Sequence, residues 1–175
     1  MKKKGFFTLL ILILLPVAIS SQDITNGLVG YWPFNNNYED ISNNENHGVA
    51  VGNPTFVTDR YGNENYAIEL DGSNDCIELN SLIDISTIDV WSAFAWIKYN
   101  DNIDVQSALL SGYAFQIIKS NHKLSYYDGV GYKYSDEAIN VDTWVHVGIC
   151  INKSLNKVYF YINGLQKGKN GNKIK

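Results

Sequence analysis

The chain has 175 residues and a formal net charge of −4, from 18 acidic and 14 basic side chains. That balance argues against a phosphate-tracking surface, since nucleic-acid binders carry a basic stripe. With 12 Tyr, 7 Phe, 4 Trp, 21 Asn and a single Met, it favours pleated strands joined by polar, left-handed turns, and its length suits one domain plus an export segment.

The first element is that segment. Lys2, Lys3 and Lys4 precede an apolar run over 6–19, and Ala18 and Ser20 are the small residues expected before a cleavage site. This predicts a signal-peptide helix over 1–20 and an exported mature domain over 21–175, at the cell surface or in the medium. The alternative is a retained anchor, but the run falls short of the roughly 20 apolar residues a span needs. No cysteine follows the run to carry a lipid, and no later segment is apolar enough to span a bilayer.

Strand signals then recur without long helical periodicity. Residues 27–34 form the first, followed by the turn cluster 35–37. A second extended stretch, 48–57, breaks near Gly52, Asn53 and Pro54. Turn-rich 59–63 leads to alternating 66–70, and turn 71–75 leads to a strand over 76–79. The run 90–97 is apolar almost throughout and reads as a strand covered on both faces. Short strands follow at 108–110, 114–118 and 123–127. Two long ones, 144–151 and 157–164, end on Asn163-Gly164, a dipeptide suited to a two-residue hairpin. The pattern fits an all-β antiparallel sandwich, with a closed barrel as the alternative.

Three groups of segments carry a resemblance. Gly27-Leu28-Val29-Gly30-Tyr31-Trp32-Pro33-Phe34-Asn35 and the loop Asp40 to Gly48 come first. The turn Leu70 to Asp75 is next, and the strands Trp144-Val145-His146-Val147 and Tyr161-Ile162-Asn163-Gly164 complete the order. Together they resemble bacterial laminin-G-like (LamG-like) domains of the concanavalin A-like lectin/glucanase class. The resemblance implies a two-sheet jelly roll over essentially the whole mature chain. Members usually have Gly at the place of Asn43, an aromatic at that of Cys76, and further strands beyond the Asn-Gly hairpin. The chain therefore resembles a domain shortened at its C-terminus.

Similar jelly rolls often hold calcium in such loops, and calcium takes six to eight or so oxygen ligands. The resemblance thus makes Asp40 and Asn44 candidate ligands, with Asp71 or Asp75 approaching from the rim; plain turn chemistry is the alternative. Cys76 and Cys150 lie in strand-like runs of an exported chain, so a disulfide and two free thiols both remain open. His47, His122 and His146 lack metal spacing, and His146 reads as a packed strand residue. Jelly-roll glucanases use a Glu-x-Asp-x-x-Glu strand, absent here, and no nucleophile elbow or phosphate loop occurs, so no enzyme is expected. Tyr126, Tyr127, Tyr132 and Tyr134 surround a glycine-containing turn. Tyrosine suits sugar stacking, with its apolar face and polar tip, although cross-strand tyrosine pairs also simply stabilise hairpins. The expectation is an exported, non-catalytic recognition module with glycan as its ligand. An adhesion or spacer module, and a fragment associated with a glycoside hydrolase, are the alternatives.

Overall fold

The structure, a computed structural model, describes residues 25–81, 83–100, 107–110, 114–118, 120–168 and 172–173. The expected signal segment lies outside them. The described residues are all-β, with no helix. In chain order the strands are β1 (Gly48–Val51), β2 (Thr55–Val57), β3 (Ala67–Glu69), β4 (Cys76–Leu79), β5 (Val90–Lys98), β6 (Ser107–Leu110), β7 (Phe115–Ile118), β8 (Lys123–Tyr127), β9 (Tyr132–Ala138), β10 (Trp144–Asn152), β11 (Lys157–Ile162), β12 (Leu165–Gln166) and β13 (Asn172–Lys173).

A central antiparallel sheet runs β12-β11-β10-β5, with β13 pairing the start of β11. Strict alternation sets its inner face. Val145, Val147, Ile149 and Ile151 of β10 and Val158, Phe160 and Ile162 of β11 are buried, while Trp91, Ala93, Ala95 and Ile97 of β5 pack against them. β-Branched residues dominate because they fill a pleated surface with little loss of rotamer freedom. Each such side chain contributes about 1.5–3 kcal/mol on burial. The hairpin at Asn163-Gly164 forms as expected: both residues have positive φ, 50° and 77°, and Ile162 pairs with Leu165 across it.

A second antiparallel sheet runs β6-β7-β8-β9 and gives Phe115, Ile117, Leu124 and Tyr126 to the same core. The two larger sheets thus share one interior, as in a β-sandwich. Where the β8–β9 register shifts, the Ser135 hydroxyl takes over the ladder. It accepts from Leu124 N at 3.1 Å and donates to Glu137 O at 2.6 Å. Two small antiparallel pairs complete the strands, β2-β3 and, from the segments flanking it in the chain, β1-β4.

Two expectations need correction. The run 90–97 is not covered on both faces: β5 alternates, leaving Val90, Ser92, Phe94, Trp96 and Lys98 exposed. Its outward aromatics made an amphipathic strand look uniformly apolar. Residues 27–34 form no strand either. Their polar groups pair with the loop that follows, so side chains replace a ladder there.

Candidate functional site

That loop is organised by Asp40, which is buried. Its Oδ1 accepts from Tyr31 N and Ser42 N, both at 2.8 Å, and its Oδ2 from Ser42 Oγ at 2.9 Å and Asn46 N at 3.1 Å. Desolvation pushes the carboxyl pKa upward, but these hydrogen bonds outweigh it and hold the group at about 2. Asn46 Nδ2 donates to Val29 O at 2.8 Å, and Trp32 Nε1 to Asn46 O at 2.8 Å. Asn44 is exposed, and its Nδ2 donates to Leu28 O at 2.7 Å and Ser42 Oγ at 3.0 Å.

The other two candidate calcium ligands shape a different turn. Asp71 Oδ1 accepts the backbone N–H groups of Ser73, Asn74 and Asp75, which lowers its pKa. Asp75 accepts Asn53 N at 2.6 Å on Oδ1 and Asp71 N at 3.1 Å on Oδ2. All four residues therefore carry turn and loop chemistry. Among the described residues, no group of three or more His, Cys, Asp or Glu side chains is placed to hold a metal. Cys76 is exposed on β4 and Cys150 half-buried on β10, and both are free thiols.

The tyrosines divide by strand alternation. Tyr126 packs against the core, apart from the other three. Tyr127 and Tyr132 are cross-strand partners with ring centroids 5.0 Å apart, and Tyr134 lies 6.2 Å beyond Tyr132. The turn between the strands is held by Asp128 Oδ1, which accepts Val130 N at 2.9 Å and Gly131 N at 2.8 Å. Lys133 pairs with Asp128 at 3.1 Å. Beside the rings is a shallow, open cleft of about 380 Å³, lined by Tyr132 and Tyr134 with Lys123, Asp136 and Asn172. Asn172 Nδ2 donates to Tyr134 O at 2.6 Å, fixing one wall.

A polar row leads inward from this cleft. Tyr134 pairs with Ser125, and Ser125 with Gln116. Ser125 and Gln116 are fully buried, and the Gln116 amide and the Ser125 hydroxyl have no hydrogen-bond partner among the described residues.

The reading of single segments missed a second aromatic grouping, on the outward face of the central sheet. Phe94 is 51% exposed and Trp96 44%. The Phe94 ring lies 5.8 Å from that of His146 at 9° and 6.0 Å from that of Tyr161, while Trp96 lies 5.2 Å from His146. The signal was present as Phe94 and Trp96, two residues apart and in phase with Val90 and Ser92, once period two is read there instead of a continuous run. The Arg60 guanidinium sits over Trp96, 4.5 Å from the ring centroid.

No helix among the described residues is long and apolar enough to cross a membrane. Compared with known proteins, the chain matches no family model, no curated protein and no solved structure.

Proposed function

We propose that this chain is an exported, non-catalytic recognition module of laminin-G-like jelly-roll topology, and that it binds carbohydrate at the tyrosine cleft. The observation that carries the reading is the ring cluster of exposed Tyr127 and Tyr134 about half-buried Tyr132, the latter two lining an open groove with polar side chains. Tyrosine faces take the apolar C–H surface of a pyranose, and its hydroxyls need nearby donors and acceptors. Lys123, Asp136 and Asn172 are of that kind. The openness of the groove suits a chain or a chain end, where a small apolar ligand would need enclosure.

The test is binding of the full chain to an array of neutral glycans, wild type against Tyr132→Ala. The reading expects specific retention by wild type and at least about a tenfold loss in the variant. Absence of binding to any neutral glycan, or equal binding by both proteins, overturns it.

A further inference from the structure

We infer that the outward face of the central sheet is a second binding surface, and that its ligand is an acidic polysaccharide, a polyuronate. This inference does not rest on the tyrosine cleft, because the surface belongs to the other sheet.

The first argument is shape. Trp96, His146, Phe94 and Tyr161 form an unbroken chain of ring contacts across β5, β10 and β11. Adjacent strands lie about 4.8 Å apart, so the chain spans roughly 10 Å or more, room for a short run of sugar rings. The Phe94 and His146 ring planes are parallel to within 9°, while Trp96 and Tyr161 tilt from their neighbours by 42° and 52°. Phe94 lies over Gly148, its cross-strand partner, and is half exposed, so its outer side is open to a pyranose. Nucleobases stack on aromatics too, but they suit splayed single rings tracked by a basic groove.

The second argument is charge. The chain as a whole has more acid than base, yet β5, β10 and β11 contain no Asp or Glu, and Lys98 stands at the end of β5 on the face of Phe94 and Trp96. Arg60 is added from the β2–β3 connection. Its guanidinium lies 4.1 Å from the Tyr61 ring centroid and 4.5 Å from that of Trp96, and it donates to Tyr61 Oη at 2.7 Å. That leaves further N–H donors of the fork for the carboxylate of a sugar on the same surface. The nearest acid in sequence, Asp59, is engaged by the backbone of Tyr61 and Asn63 and by Asn63 Nδ2, and the Arg60 charge also acts on it. The guanidinium covers one face of Trp96, so the ring open to a sugar is Phe94, with the Arg60 fork on the same surface for the sugar's carboxylate.

Affinity electrophoresis of the full chain through gels containing polygalacturonate, alginate, methyl-esterified polygalacturonate or dextran tests this. Wild type is expected to be retarded by both polyuronates, and about tenfold less by the esterified polymer and by dextran. Trp96→Ala and Arg60→Gln are each expected to lose about tenfold in polyuronate affinity, and Trp96→Phe to keep it. Circular-dichroism melts confirm that the variants fold. The inference is overturned by equal retardation in dextran and polygalacturonate, or by an unaltered Trp96→Ala. It is equally overturned by tighter binding of an oligothymidylate, or by a self-association that Trp96→Ala abolishes.

Discussion

Phe94 lies over Gly148 on the neighbouring strand, filling the space where a Cβ at position 148 would stand. Sheet interiors disfavour glycine unless something approaches closely, and here the approach is an aromatic ring. Gly148→Ala should therefore tip Phe94 off the sheet and break its contact with His146. We expect a cost of about 1–3 kcal/mol, typical of overpacking. Denaturant titration gives the stability change, and near-ultraviolet circular dichroism reports the aromatic rearrangement.

Asp40 sets an acid limit on the N-terminal loop. Its folded pKa, about 2, lies below the ordinary carboxyl value of 3.8. The stabilisation is thus fully present above that ordinary value and is lost as the pH falls through about 2. Asp40→Ala should cost about 2 kcal/mol at neutral pH, since it strands several buried donors. The variant should also lose less stability than wild type between pH 4 and pH 2, which thermal melts across that range will show. Calcium added to wild type should leave the melting temperature unchanged, because the carboxylate oxygens already accept hydrogen bonds.

The two thiols should react differently. Burial raises the pKa of Cys150, only partly offset by hydrogen bonds with Ser92 and Tyr161. The thiolate is the reactive form, so Cys150 should be slow, while Cys76 is exposed. Under native conditions a maleimide probe should label Cys76 first, and both cysteines should label readily in denaturant. Mass spectrometry of intact and digested protein reads this out. An unlabelled pair that becomes reactive only after reduction would establish a disulfide instead.

Gln116 is a buried amide on β7 without a partner among the described residues, next to the equally buried Ser125 hydroxyl. Such groups cost about 1–3 kcal/mol each. Gln116→Leu, similar in size and apolar, should raise the unfolding free energy by a comparable amount. Urea titration measures it, and a fall in stability would mean that a buried water satisfies the amide.

Period-two alternation in 144–151 and 157–164 marks the central strands correctly, and the paired positive φ values at Asn163 and Gly164 follow from residue type alone. The sandwich-like, all-β character was legible for that reason. Residues 27–34 misled because Leu28, Val29 and Tyr31 look like a strand, while their partners are the side chains of Asp40, Asn44 and Asn46, which no local pattern encodes. The tyrosine segment predicted its hairpin, but only strand alternation could separate Tyr126 from the other three rings. Arg60 was invisible as a site residue: its proximity to Trp96 comes from tertiary folding across 36 positions of sequence.

Residues 28–46 are held chiefly by one carboxylate and a few amides, whereas β10 is hydrogen-bonded on both sides along its length. Breaking a few such bonds frees the first region without disturbing the second. Backbone amides near Tyr31 and Ser42 should thus trade their hydrogens for deuterium well before those of Val147 and Ile149, so that the chain opens from its N-terminal side while its interior stays closed.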